Sequence, residues 1–190
     1  MNKYVALVFS ALLIACQPVF AVTIEEVEIP DTITLAGNGQ PLSLNGAGVR
    51  KKYFMDIYIG ALYLPARTPD SSAILSDSGP ASVLMHFLYS EVSKEKIIDG
   101  WNDGLKENLD PAVLQSMTPD LERFNALFRT VHEGDAIRID YIPGTGTEVR
   151  INDELRGAVA GNDFFRALLK VWLGPKPISK ALKKAMLGTD

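Results

Sequence analysis

Few side chains in this 190-residue sequence have the types and spacing for chemistry. There are two histidines, His86 and His132, and one cysteine, Cys16. A histidine becomes a general base only where a partner orients it. His86 lies two positions from both Leu84 and Leu88 on a strand pattern and reads as a half-exposed structural residue. His132 stands just past a helical pattern, beside Glu133-Gly134, and reads as a solvated cation near that helix's carboxyl end. Four Cys or His ligands cannot be assembled, so zinc modules and disulfide scaffolds are excluded and no metal is expected. Asp56 and Asp140 fall on the polar phases of strands, where a Lys or Arg can pair with each. No two carboxylates are brought together by spacing for acid–base work. GxSxG, Walker and HExxH motifs are absent, and no cofactor is expected. Gly144-Thr145-Gly146 precedes a strand and reads as a turn rather than a phosphate cradle.

Composition narrows the classes further. Nineteen Lys+Arg stand against 23 Asp+Glu, giving a net charge of −4. Apolar residues make up 47% and charged residues 22%, the balance of a globular chain. A disordered chain and a polycationic nucleic-acid binder are excluded.

The amino terminus reads as a leader. Lys3 precedes an apolar run of twelve, Tyr4 to Ala15, and Val19-Phe20-Ala21 offers compact residues for cleavage. Residues 1–21 are therefore expected to be a signal peptide, and 22–190 a single domain in the periplasm. Leu13-Ile14-Ala15-Cys16 offers a second outcome, lipidation at Cys16 and tethering to a membrane. No later stretch is apolar for long enough to form a transmembrane helix.

The elements that must position any site follow from periodicity. Strands are expected at Val22–Ile29, Thr32–Leu35, Leu42–Val49, Tyr53–Leu64 and Val83–Tyr89. In Tyr53–Leu64 the odd positions form an apolar face and the even ones, with Asp56 and Tyr58, a mixed face. Pro65 to Pro80 reads as a loop holding a short helix, Ser71–Leu75. Ser93 can cap a helix running to Lys106, with Ile97, Ile98, Trp101 and Leu105 on one side. Thr118-Pro119-Asp120 starts another, with Leu121, Phe124, Leu127 and Phe128 as its buried stripe. Strands return at Asp135–Ile142, Thr147–Ile151 and Glu154–Val159, the last two joined by a tight Asn152-Asp153 turn. Two helices close the chain. The first is capped by Asn162 and ended by Gly174-Pro175, and the second runs from Ile178 to Leu187. Strands on both sides of a helical block, with hairpin-length links, imply an α+β fold with an antiparallel sheet covered on one side.

Three segments carry a family resemblance. Leu44-Asn45-Gly46-Ala47-Gly48-Val49-Arg50, then Ile59-Gly60-Ala61-Leu62-Tyr63-Leu64-Pro65, then Phe164 to Pro175 with its FFxALLxxWLG pattern resemble the chalcone isomerase-like family. The likeness is to its bacterial secreted branch and spans about residues 24–188. It implies an open-faced β-sandwich, a large antiparallel sheet with helices on one face and a ligand cleft between them.

The resemblance also implies a site. The arginine after the GAGV stretch is Arg50. The threonine that precedes the YL pair falls on Tyr58, the tyrosine opening the active-site helix near Ser93, the asparagine further along on Gly100, and the last Ser/Thr near Ser179. The plant enzymes cyclise chalcones to flavanones, with the arginine and several hydroxyls stabilising charge, and an intramolecular lyase is one implied activity. Non-catalytic plant relatives bind fatty acids through an Arg and a Tyr. Arg50 and Tyr58 keep what holding an anionic group requires. Positions 93 and 100 have lost side chains that ring closure needs. The implied function is binding of a small amphipathic or fatty-acid-like ligand at Arg50, Tyr58, Ser93 and Ser179.

Overall fold

The computed structural model describes residues 21–36 and 39–189. The leader with Cys16 therefore lies outside the described residues, apart from Ala21. The central element is a seven-stranded sheet in the order β11-β10-β9-β6-β5-β4-β3. Its strands are β3 (Thr32–Thr34), β4 (Pro41–Lys52), β5 (Met55–Leu64), β6 (Ala81–Phe87), β9 (Ala136–Ile142), β10 (Gly146–Ile151) and β11 (Glu154–Val159). Every pairing is antiparallel, as hairpin-length connections require. The helices are α1 (Ser71–Ser76), α2 (Lys94–Asn108), α3 (Pro111–Ser116), α4 (Thr118–Ala126), α5 (Asn162–Leu173) and α6 (Lys180–Met186). The α+β class and the open-faced architecture are thus as the sequence implies.

Several local expectations change. Val22–Ile29 is not one strand: Glu25 and Glu26 both take positive φ and fold it into a hairpin of β1 (Ala21–Ile24) and β2 (Val27–Pro30). Asp110 caps α3 ahead of Pro111, a helix of six residues with no buried stripe to mark it in the sequence. Asn162 is not the cap of α5. Gly161 holds that place, and the Asn162 Oδ1 accepts from the Arg166 Nε at 3.1 Å. His132 is not at a helix end. It lies in β8 (Val131–His132), pairs with β7 (Glu91–Val92), and its Nε2 is 3.4 Å from the Glu91 carboxylate. The turn Asn152-Asp153 has both residues at positive φ, as a tight hairpin demands.

The largest departure concerns β5. The alternation suggests one apolar and one mixed face, yet every residue from Ile57 to Leu64 is buried. The strand sits mid-sheet with both faces covered. Tyr58, Leu62 and Leu64 enter the main core beneath the helices. Ile59, Ala61 and Tyr63 enter a smaller core with Ile29, Leu35 and Leu42 on the opposite side. Tyr63 donates its hydroxyl to the Pro30 carbonyl at 3.0 Å, pinning β2 over that second face. The two aspartates behave as expected. Asp56 bridges Lys51 at 2.8 Å, and the buried Asp140 accepts from Ser82 at 2.6 Å and from Arg138 at 2.9 Å.

The glycines of the Asn45–Arg50 segment have a packing cause. A Cβ at Gly46 would collide with the Ala185 carbonyl, and one at Gly48 with the Ala185 side chain. A Cβ on Gly60 would come within 3.2 Å of Leu182. The sheet surface is therefore flat where α6 rests on it. Asn45 clamps the same contact: its Nδ2 donates to the Met186 carbonyl at 2.8 Å, while its Oδ1 accepts from the Thr68 N–H at 2.7 Å.

Candidate functional site

Arg50 and Tyr58 are direct cross-strand partners on β4 and β5. The connection between them is only a tight turn at Tyr53-Phe54, with Lys52 paired to Met55. A register shift just after Arg50 turns the strand there and separates it from the Lys51–Asp56 bridge. The Arg50 guanidinium carbon lies 5.7 Å from the Tyr58 ring centre, a cation–π distance. Arg50 has no carboxylate within ion-pair distance among the described residues, and its Nε is shielded from water without a hydrogen-bond partner.

Tyr58 is almost fully buried. Its hydroxyl accepts a hydrogen bond from the Trp172 Nε1–H at 3.0 Å. Its own proton remains available for donation. Burial pushes the phenol above its ordinary value, against the pull of the Arg50 guanidinium and the Trp172 donor. The group therefore stays a neutral donor at physiological pH. The unfolded chain loses this proton near the ordinary value of 10.0. The associated stability is present below that pH and is lost as pH rises beyond it.

Two connected spaces meet at Arg50. One is an apolar chamber of about 70 Å³ walled by Tyr58, Met85, Phe87, Ile97 and Trp101. The other is an open cleft of about 1000 Å³ running out between the β4–β5 hairpin, α2 and the Pro175–Ile178 connection. Arg50, Ile57, Val92, Lys96, Gly100 and Ile178 border both. The chamber goes no deeper because aromatic rings fill the space behind it. Trp101 lies 5.4 Å from Trp172 and 5.6 Å from Phe124, and Phe124 lies 5.2 Å from Phe164, all measured between ring centres. The chamber is small beside the cleft of about 1000 Å³. The outer cleft has Ile57, Val92 and Ile178 on its walls and Lys96, Asp99 and Lys180 among its charged residues. A ligand that reaches Arg50 must lie mainly in this outer space.

The structure brings together only part of the expected set. Arg50 and Tyr58 meet, and Gly100 lies on the wall beside them. Ser93 is the N-cap of α2, accepting from the Lys96 N–H at 3.3 Å. Ser179 is the N-cap of α6, accepting from the Leu182 N–H at 3.2 Å. Neither serine is among the cleft-lining residues. Sequence reading missed the donor at Trp172, and it missed Trp101, whose Nε1 is buried without a partner on the chamber side of α2. Both indoles fall in apolar helical stripes, and a stripe does not reveal where an indole N–H ends. Among the described residues there is no cluster of three or more His, Cys, Asp or Glu suited to a metal.

A Tyr58→Phe substitution is expected to keep the ring packing and strand the Trp172 N–H. The cost is about 1–3 kcal/mol of stability, as for a buried donor that loses its acceptor. Denaturant unfolding checks this, and a change below about 0.5 kcal/mol would contradict the assigned bond.

A curled antiparallel sheet with helices on one face, and a cleft ending on an arginine–tyrosine pair, defines an open-faced sandwich. The chain belongs to the chalcone isomerase-like family, whose model matches residues 21–188. Among solved structures, a fatty-acid binding protein of Arabidopsis thaliana has the same fold. It superposes with a TM-score of 0.62 at 15% identity, covering 82% of this chain and 95% of that one. No curated protein matches the sequence.

Proposed function

We propose that this chain is a non-catalytic binder of an amphipathic acid, fatty-acid-like in its chemistry, in the bacterial cell envelope. The carboxylate would sit on the Arg50 guanidinium with the Tyr58 hydroxyl donating to it. The apolar body would lie along Ile57, Val92 and Ile178 in the outer cleft. The observation that carries this reading is an arginine with no carboxylate at ion-pair distance among the described residues, at the junction of an apolar chamber and an open cleft. A cation held in a partly desolvated place gains most from an anionic ligand. The solved neighbour's own description as a fatty-acid binding protein is consistent with it.

The isomerase reading has less support. Cyclising an enone requires several donors fixed to within fractions of an ångström. Here two serines are spent on helix caps, and position 100 is glycine. Export rests on the leader-like residues 1–21, with lipidation at Cys16 as the alternative fate. Membership of the secreted bacterial branch rests on the Asn45–Arg50 and Phe164–Pro175 patterns.

Native mass spectrometry of the purified protein tests the proposal. An acyl-sized mass that leaves on solvent extraction is expected, as is a raised melting temperature when short- or long-chain fatty acids are added back. If no mass is carried and no acid changes the melting curve, the reading fails. Chalcone cyclisation clearly faster than in buffer, and lost in Arg50→Ala, would replace it with the isomerase.

A further inference from the structure

The tip of the β4–β5 hairpin carries the sequence Lys51-Lys52-Tyr53-Phe54-Met55. Tyr53 is 84% exposed, Phe54 102% and Met55 38%. Among the described residues the other exposed large apolar ones, Val22, Val113 and Leu155, stand singly, as is ordinary on a protein surface. Three consecutive ones at the end of a hairpin are not ordinary. The tip is also held in shape, by the Lys52–Met55 pairing and the 2.8 Å Lys51–Asp56 bridge at its base.

We propose that this tip docks on a lipid bilayer bearing anionic headgroups. Tyr53, Phe54 and Met55 enter the boundary between headgroups and acyl chains, and Lys52 lies against the phosphates. Aromatic side chains with an apolar body and a polar end favour that boundary. Lys51 is neutralised by Asp56 and has Glu25 nearby, so Lys52 supplies the charge at the tip. Along the cleft Lys96, Lys176 and Lys180 are balanced by Glu91, Asp99, Asp103 and Glu107, so the unpaired charge is that of the tip, and Lys52, Tyr53 and Met55 line the same cleft. Tip and cleft mouth therefore face the same side. A protein partner is the poorer fit. The tip offers roughly 400 Å² from two aromatic rings and a methionine, where a stable protein interface needs about 800 Å² on each side. A bilayer takes up aromatic and apolar side chains at its boundary without needing a matched area, and a nearby Lys adds electrostatic attraction on anionic lipid. The docking does not depend on the ligand reading, and its test uses no fatty acid.

The test places a fluorescent probe at the tip. In the Phe54→Trp variant of the full protein, vesicles of phosphatidylcholine with phosphatidylglycerol should shift the added emission to the blue. Quenchers carried on the lipid should reach the probe, and high salt should reverse both effects. Trp101 and Trp172 are buried and give a constant background. A Leu155→Trp probe, remote in sequence and singly exposed, should show neither effect. Phe54→Ser should lower the fraction bound through the tip at least tenfold without lowering the melting temperature, since Phe54 makes no buried contact. A position-54 probe that stays in water on anionic vesicles overturns the proposal. So does an equal response to neutral vesicles, or shielding that follows protein concentration without lipid, which would identify a second copy as the occupant.

Discussion

Arg50→Ala is expected to weaken binding of an amphipathic acid about 10- to 150-fold while leaving the melting temperature nearly unchanged. The first part follows from the ~1.5–3 kcal/mol contributed by a hydrogen bond to a charged group, at tenfold per about 1.4 kcal/mol. The second follows from the missing counter-ion. No carboxylate among the described residues is left unpaired when the guanidinium is removed. The fold loses the cation–π contact with Tyr58 at 5.7 Å and the packing of one half-buried side chain. Arg50→Lys should recover only part of the affinity, because an ammonium restores the charge but not the planar fork. Acid binding should fall as pH drops below about 5, where a fatty acid takes up its proton like other carboxyls. Calorimetric titration of the wild type and both variants decides the matter. Equal affinity in all three would remove Arg50 from the site.

The second large effect is expected at a glycine that touches no ligand. Gly48→Val places its branched side chain into Ala185 and Leu182, at the seat of α6 on β4. The neighbour at Ala185 is short and cannot swing away, so the helix must lift. Overpacking of this kind costs about 1–3 kcal/mol, and sometimes more. The displaced helix is continuous with Ile178 and Lys180, which wall the cleft, so ligand affinity should fall together with stability. Arg50→Ala, in contrast, should lower affinity alone. Denaturant unfolding with parallel binding measurements separates the two. A Gly48→Val protein as stable as the wild type would mean that α6 does not rest on this surface.

Both variants fall in Asn45–Arg50, and the structure gives that short segment three separate tasks. Asn45 clamps the end of α6, Gly46 and Gly48 make room for it, and Arg50 presents a cation at the cleft. Nothing in local periodicity distinguishes these tasks. The first two depend on a helix 141 positions away in the Asn45–Met186 contact.

What the sequence determined by itself was most of the longer elements and the class they form. Alternation marked the strands, the capping residue Ser93 and the Thr118-Pro119-Asp120 signal marked helix starts, and Asn152-Asp153 marked a hairpin. Each of these signals is local, so it can be read within a few residues. The Asn45–Arg50 and Phe164–Pro175 patterns added the family. Only the tertiary structure decided that β5 is covered on both faces, that Trp172 donates to Tyr58, and that rings from α2, α4 and α5 close the depth of the cleft. Those outcomes depend on which distant surfaces meet. Burial and hydrogen-bond partnership belong to pairs of elements rather than to one stretch of chain. Hence a cap could be foreseen at Ser93, whereas the small chamber beside Arg50 could not.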